Sequence, residues 1–535
     1  MAGPNDALLI LILDARARDA DAPVQAPDDP VQVPDDPVRL IFRRRLVAPW
    51  SHVVAGADHP PWPRHFVDTL RASLLQLKEK FGDKIRLLMW SDCAGKCTEK
   101  YAWGKLADEL MQTLGIAIEF KLYGACDSTR HCKDFVISNY DPSHFADDIF
   151  RRNFLEASFQ CTKCVRMCSL PMTGIDIYCC CFPCGPWSKL GNRMGLDDPD
   201  ANVCWQAIRT IKHMKPVLFY MENVMGICST SRDTGGADVR LIKKFMQQEL
   251  GDTYNTMTIS NTSPIQHGYA AEKKRFVVVG GRSDQVDENQ LRRNFTELIE
   301  NPLPVTHNYW TFLGLDEIAD EIADAVGELP SPAAACKIHG SGCKCGVDPM
   351  ILCDQHPCKC VQCKHGEVLH CSWRVKAKKY LADHGLQEAA ADGCVTYIQA
   401  LELMGLLGPK SPRQRNMLNV FARLPAADPL RSTLMIMDIS QAIDRARPRC
   451  DGTVPTMGVN ASMWSMRAGR LLDVCEMAKM MGLDLSEVDL RSTTQSQMRQ
   501  MLGMSIHVAT AGFALIGLLA AAGCRPQPLI AIDSR

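Results

Sequence analysis

The sequence predicts an α/β protein: a doubly wound, mostly parallel sheet with a smaller domain inserted in its second half. Three observations lead there. Short apolar runs alternate with segments of helical spacing from Phe81 onward; the rhythm breaks between Asn301 and Arg449 around a dense Cys/His segment; and it returns after Gly452. Buried strands separated by helices give a parallel sheet covered on both faces. Such sheets bind ligands at the carboxyl ends of their strands.

Ile85–Trp90 is a mostly apolar run ending in a small-residue turn, which predicts a buried strand. Lys100–Leu114 has helical spacing, and Ile116–Tyr123 reads as the second strand. Ile175–Cys181, apolar except for Asp176, and Val217–Met221 predict two more strands, with a helix over Ala201–Met214 between them. Tyr254–Ile259 and Phe276–Val279 complete the set. Before all of these, Asp14–Arg39 holds a repeat, APDDPVQ then VPDDPVR, whose prolines block helix and ladder alike. The expected organisation is a disordered or extended leader (1–80), a sheet domain (81–300), an inserted domain (301–450) and a return segment completing the sheet domain (451–535).

The chain has 535 residues, 46% hydrophobic and 23% charged, which fits a soluble globular protein of two or three domains. A net charge of -1 does not exclude a nucleic-acid partner, since a local basic face is what matters. Cysteine is abundant, at 25 residues, and the apolar run Ala7–Leu13 is too short and too poorly flanked for a signal peptide. A reducing, intracellular setting is expected, with thiols free, metal-bound or nucleophilic. Arg43-Arg44-Arg45 reads as a solvated surface or part of a localisation signal. Val508–Ala522, rich in Ala and Gly, is shorter than the roughly 20 residues of a membrane span and predicts a buried helix with no membrane role.

The segment Cys181-Phe182-Pro183-Cys184-Gly185-Pro186-Trp187-Ser188 directly follows an apolar strand, and Gly191-Asn192-Arg193-Met194-Gly195 continues it. About 30 residues on, Phe219-Tyr220-Met221-Glu222-Asn223-Val224 ends the next strand. These residues resemble the nucleophile loop and the Glu-Asn-Val strand end of the cytosine-C5 DNA methyltransferases, whose loop usually reads Pro-Cys-Gln-Pro-Phe-Ser. The resemblance implies a Rossmann-like, S-adenosylmethionine-dependent catalytic domain whose insert is the target-recognition domain. It makes Cys184 the nucleophile and Glu222 the acid at ring N3. The residue types suit that chemistry. A thiolate adding at C6 turns an unreactive aromatic ring into an enamine, splitting one difficult step into two. A carboxylic acid beside N3 favours the addition, and a tight loop can lower the thiol pKa. Flanking prolines stiffen the loop. The preceding Cys179, Cys180 and Cys181 read as small buried hydrophobes.

For the methyl donor, Ser91-Asp92-Cys93-Ala94-Gly95-Lys96-Cys97-Thr98 occupies the place of the family's Phe-x-Gly-x-Gly turn. Gly95 is kept, while Cys93 and Cys97 replace the Phe and the second Gly. The resemblance also gives Asp127 to the donor's ribose and Asp148, within Ala146-Asp147-Asp148-Ile149, to its adenine. Either could instead be an ordinary strand-end or capping residue. Pro183 and Ser505 join Gly95 as donor-side residues. The family's Gln-x-Arg-x-Arg becomes Ala271-Glu272-Lys273-Lys274-Arg275, leaving Lys273 and Arg275 to hold the base and its phosphate. Gly452–Thr456, Arg470–Ala478 and Gln500–Ile506 resemble the segments that follow the recognition domain, with Met504 in place of the usual Asn.

Between Cys336 and Cys371 lie eight cysteines and four histidines. Cys343, Cys345, Cys358, Cys360, Cys363 and Cys371 are candidate ligands for structural zinc, with a thiol-rich metal-free segment as the alternative. Cys161-x2-Cys164-x3-Cys168 is a second, weaker candidate. The expected partner is double-stranded DNA, its target cytosine flipped from the stack, with Arg374, Lys376, Lys378 and Lys379 available to phosphates. A structured RNA such as tRNA is an alternative substrate, and a catalytically weak nucleic-acid-binding homologue is a further one. In a eukaryote the location would be nuclear.

Overall fold

The computed structural model describes residues 57–229, 238–315, 411–421, 435–446 and 448–523, together with Lys379 and Asp383. The Pro/Asp repeat, Arg43–Arg45 and the Cys/His segment between Cys336 and Cys371 lie outside these residues.

Two helices, α1 (Trp62–Thr69) and α2 (Arg71–Phe81), precede the sheet. The leader was expected to run through residue 80, so its last part is corrected here. Trp62, Phe66, Leu70, Leu74 and Leu77 recur at helical spacing and are all buried. Pro63 sits in the first turn of α1, where its missing N–H leaves no bond unmade.

The alternating α/β body follows as expected: β1 (Lys84–Asp92), α3 (Thr98–Leu114), β2 (Ala117–Cys126), α4 (Arg130–Tyr140) and β3 (His144–Ala146). A small antiparallel excursion comes next, made of β4 (Arg152–Asn153), β5 (Ser158–Cys161) and β6 (Arg166–Ser169). The chain returns through β7 (Ile177–Cys180), α5 (Asn202–Met214), β8 (Leu218–Val224), α6 (Asp238–Leu250), β9 (Tyr254–Thr262), β10 (Arg275–Arg282) and α7 (Glu288–Glu300). Seven strands form one sheet in the order β3-β2-β1-β7-β8-β10-β9. Every pair from β3 to β8 is parallel, and β10 runs antiparallel to both β8 and β9. The reversal in strand order between β1 and β7 opens a crevice at the carboxyl ends of those strands, the usual ligand position in this architecture.

After α8 (Tyr309–Leu313) the described residues resume at α9 (Pro412–Phe421) and a small antiparallel sheet, β11 (Ile436–Asp438), β12 (Met463–Ser465) and β13 (Arg470–Leu471). The boundary expected at residue 450 falls inside this sheet, because β11 pairs with β12 across it. The helices α10 (Val474–Met480), α11 (Gln495–Met504) and α12 (Val508–Ala522) complete the fold. Every residue of α12 is buried. It packs against α1, α2, α3 and α7 and on strands β8 and β10. Its apolar composition therefore reflects a place in the core. No single helix among the described residues is long and apolar enough to cross a membrane; α11 and α12, bent by 46°, pass that test only as a pair. On the opposite face α5 and α6 cover the side chains of Trp90, Tyr178 and Phe219, which makes the sheet doubly wound.

Candidate active site

Two adjacent parallel strands, β7 and β8, set the site. Their register pairs Ile177 with Leu218 and Cys180 with Met221. The loop after Cys180 and the strand end at Glu222-Asn223 therefore emerge side by side. Asn223, buried, donates its amide to the carbonyls of Phe182 (3.0 Å) and Pro183 (3.3 Å). The loop then closes on itself: the amides of Trp187 and Ser188 both donate to the Cys184 carbonyl, at 3.0 and 2.8 Å. Trp187 anchors its far side, packing edge-on against Phe182 and donating from Nε1 to Asp238 (2.8 Å). Gly191 is required by proximity, since a Cβ there would stand 1.9 Å from the Gly185 carbonyl oxygen. The result is a stiff turn holding a half-buried Cys184.

Glu222 and Arg275 meet beside it. β10 runs antiparallel to β8 with Val277 opposite Glu222, which places Arg275 just beyond the Glu-Asn-Val end. Arg275 Nε lies 2.5 Å from Glu222 Oε1, both side chains buried. Burial pushes the Glu222 carboxyl above its usual range, and the cations Arg275 and Lys273 oppose that shift. Burial likewise raises the Cys184 thiol; Arg275 and Lys273 pull it down and Glu222 pushes it up. The tight loop was expected to lower this pKa. Among the described residues desolvation wins instead, and the thiol is held mainly protonated at neutral pH. The four catalytic candidates, Cys184, Glu222, Arg275 and Lys273, thus share one electrostatic environment. Lys273 has a second attachment: its Nζ donates to the carbonyls of Leu502 (3.3 Å) and Gly503 (3.2 Å) at the end of α11. Burial drives its ammonium well below the ordinary lysine range.

On the donor side, Asp127 follows β2 and accepts from the backbone N–H of Gly95 (2.8 Å) and of Thr129 (2.8 Å). One carboxylate so fastens the turn after β1 to the turn after β2. Gly95 has φ of +54°, and a Cβ built there would meet nothing within 4 Å. Open space above a glycine backbone, at the start of α3 and next to a strand-end carboxylate, fits an adenosyl cofactor carrying a carboxylate. Cys97 adopts the left-handed conformation, φ 53°, that glycine would take without penalty. Its buried sulfur donates to Glu99 Oε1 (3.5 Å), and Glu99 also accepts from the Ser91 hydroxyl. The sulfur is turned into the protein at Glu99. Asp148 caps the short turn after β3, accepting from the Phe150 amide (2.8 Å). Pro183 contributes its carbonyl to Asn223, and Ser505 bonds the Leu502 carbonyl (3.2 Å).

Several residues that shape this site were not among the candidates read from the sequence. Asp92, at the end of β1, accepts from two guanidinium nitrogens of Arg152, from Trp90 Nε1 (2.8 Å) and from the Tyr178 hydroxyl (2.6 Å). Arg152 and Asp92 side chains are fully buried. Lys96 is buried at the donor turn, bonds the Thr98 hydroxyl (2.8 Å) and is drawn by desolvation down to about 8. The six insert cysteines proposed as zinc ligands lie outside the described residues. Cys161, Cys164 and Cys168 are described, and they converge with His144, every ligand atom within 4.8 Å of the others.

Residues 125–336 match the family model described as C-5 cytosine-specific DNA methylase. Among curated proteins, the type II methyltransferase M.FnuDI of Fusobacterium nucleatum is 29% identical over 135 residues, 23% of this chain and 37% of that protein. M.NgoBI of Neisseria gonorrhoeae is 26% identical over 201 residues, 37% of this chain and 57% of that protein. M.NgoPII of the same species reaches 34% over 103 residues, 19% of this chain and 28% of that protein. The alignments with M.FnuDI, M.PspPI and M.NgoPII span only 26–37% of those relatives' lengths. Of the solved structures, S. pombe Dnmt2 methyltransferase aligns with a TM-score of 0.37 at 14% identity, over 81% of this chain and 98% of that one.

Proposed function

We propose that this chain methylates carbon 5 of cytosine in DNA through a covalent Cys184 adduct, a reading supported by the match of residues 125–336 to the C-5 cytosine-specific DNA methylase family model. The observation that carries the reading is the Cys184 loop held by Asn223 against a buried Glu222–Arg275 pair.

The Cys184 thiol gives its proton to solvent, and the thiolate adds to C6, forming an S–C6 bond while the ring π pair moves toward C5. Glu222, whose carboxyl burial pushes above its usual range against the pull of Arg275 and Lys273, donates a hydrogen bond or proton at N3 and so stabilises the negative charge that would otherwise develop on the ring. Arg275 orients Glu222 and draws the thiol pKa down against the effect of burial. Lys273 ties this cluster to the end of α11. S-adenosylmethionine, held by the Gly95 turn, Asp127 and the start of α3, supplies the electrophilic methyl group when bound. Asp148, Pro183 and Ser505 border that side. Transfer of the C5 proton to solvent then lets the C–H electron pair re-form the 5,6 double bond and expel the Cys184 thiolate, which restores the aromatic ring. C6 lies inside the stack of a duplex, so the target base must be flipped out to reach Cys184.

The test offers 5-fluorocytosine in a DNA duplex and in tRNA, with methyl donor present. Fluorine cannot leave C5 as a proton does, so the adduct is trapped. The expected result is a denaturation-resistant complex with DNA that Cys184→Ala abolishes. An adduct with tRNA alone would make RNA the substrate. No adduct on either, with folded protein, overturns the enzymatic reading, and an adduct surviving Cys184→Ala overturns the mechanism.

A further inference from the structure

The excursion β4–β5–β6 is small and joins the core through few side chains, chiefly Phe159, Cys161, Cys168 and Leu170. β4 has two residues, β5 and β6 four each, and only Cys168 of β6 is buried. Leu155, Val165 and Met167 around it are exposed. A sheet of this size gains from a further source of stability. The β5–β6 turn, Cys161-Thr162-Lys163-Cys164-Val165, shows one. The Cys164 amide donates to Cys161 Sγ (3.3 Å), and Val165 takes a left-handed φ of 56° immediately afterwards. The turn thereby brings two sulfurs of a C-x2-C pair to the same side. Cys168 joins from β6, where it pairs with Phe159 of β5. His144 of β3 completes the group, its Nδ1 3.6 Å from Cys164 Sγ.

We propose that His144, Cys161, Cys164 and Cys168 bind a single structural zinc ion that fastens the β4–β6 excursion to the edge of the main sheet. The distances suit it. Tetrahedral zinc with Zn–S near 2.3 Å and Zn–N near 2.0 Å separates neighbouring ligand atoms by about 3.5–3.8 Å, and these four atoms lie within 4.8 Å of one another. The donor set also suits it, since three thiolates and an imidazole close a site without leaving a position for water. Its net charge of about -1 is faced by Arg166, and by Lys163, which is also ion-paired to Asp141. The turn is already tied to β3 without the ion: the Thr162 amide donates to the Phe145 carbonyl (2.8 Å), and Lys163 Nζ to that of Pro142 (2.6 Å). The site therefore lies on an element whose backbone is oriented before metal binds. The excursion it holds begins with Arg152, the partner of Asp92, so the ion would act as a brace behind the donor-side strands.

Zinc per chain would be measured in the purified full-length protein, in Cys161→Ser/Cys164→Ser, and in Cys358→Ser/Cys360→Ser to account for any metal in the insert. The expected result is one equivalent fewer in the first variant than in wild type, with that equivalent retained in the second. Equal zinc in wild type and folded Cys161→Ser/Cys164→Ser overturns the proposal. If that variant does not fold, His144→Cys keeps four ligands. With cobalt in place of zinc, it should retain the metal and gain one thiolate's share of sulfur-to-cobalt absorption. A cobalt spectrum unchanged by His144→Cys overturns the proposal equally. Neither readout depends on methyl transfer.

Discussion

Replacing Asp92 by Asn would remove the charge from the most heavily used side chain in the sheet. Asp92 accepts four hydrogen bonds, from Arg152 twice, Trp90 and Tyr178, and no part of the Asp92 or Arg152 side chain reaches solvent. Asparagine offers one acceptor oxygen and turns an NH2 group toward donors, so at least one N–H pair is left facing another. Arg152 suffers most. Burial works against its charge and Asp92 more than reverses that, holding the guanidinium pKa above its usual value. Removing one member of such a pair strands a buried charge, worth roughly 3–5 kcal/mol. That is a large share of the roughly 5–15 kcal/mol a folded protein has in hand. Urea unfolding followed by tryptophan fluorescence should show the midpoint falling by on the order of 1 M with m unchanged. The double variant Asp92→Leu/Arg152→Met should recover most of the loss, because it replaces the pair by apolar groups and strands nothing. A loss below about 1 kcal/mol for Asp92→Asn, which is no more than one ordinary hydrogen bond, would refute the reasoning. So would a double variant as unstable as the sum of the singles.

Asn223→Ala should leave two loop carbonyls unpaired, destabilise by about 2–4 kcal/mol and lower kcat more than KM; equal losses in both would argue against a loop-positioning role. Alkylation of the Cys184 peptide, followed by mass spectrometry, should quicken as pH rises through a thiol pKa above the usual range, and Arg275→Ala should move that rise to higher pH because a cation that lowers the pKa is gone. A rise shifted downward would contradict the geometry. Cys97→Gly should relieve roughly 1 kcal/mol of left-handed strain and tighten donor binding, measured by calorimetry, and weaker binding would show that the Cys97–Glu99 contact supports the donor turn. Buried thiols at Cys97, Cys126 and Cys179 stand well above their ordinary pKa in the folded chain. Because a raised folded pKa gives stability that is complete below the unfolded value and drains away above it, stability should decline as pH climbs from about 8.5. A flat profile from pH 8 to 10 would exclude these thiols as contributors.

The succession of strands and helices and the nucleophile loop were legible because each depends on neighbours in sequence. An apolar run, a Pro-Cys turn and a Glu-Asn-Val ending are local patterns, and β7 and β8 place them together by parallel pairing alone. α1 and α2 were missed because the proline-rich stretch before them set the expected boundary, although Trp62, Phe66, Leu70 and Leu74 carry a clear helical stripe. The Asp92–Arg152 pair could not be read, since sixty positions separate its members and nothing in the sequence links the donor-turn segment to Arg152. His144 was missed for the same reason: it lies 17 residues before Cys161, and only the pairing of β2 with β3 and the path of the excursion bring it to the sulfurs. The pKa of Cys184 went the other way because burial is a tertiary quantity; the prolines around it say that the loop is stiff and nothing about how much water reaches it.

The helix α12 seals one face of the sheet, yet Arg282, the last residue of β10, and Val508, the first of α12, are separated by the whole insert. At 5–20 residues per second, synthesis of that interval lasts on the order of 10–40 s. Throughout it, the part of the sheet over β8 and β10 that α12 comes to cover has emerged from the ribosome without that cover. During this window the nascent chain must be shielded by a chaperone or kept from its neighbours on the polysome. Translation stalled within the insert would release a species prone to aggregate, whereas a chain carried through α12 can close.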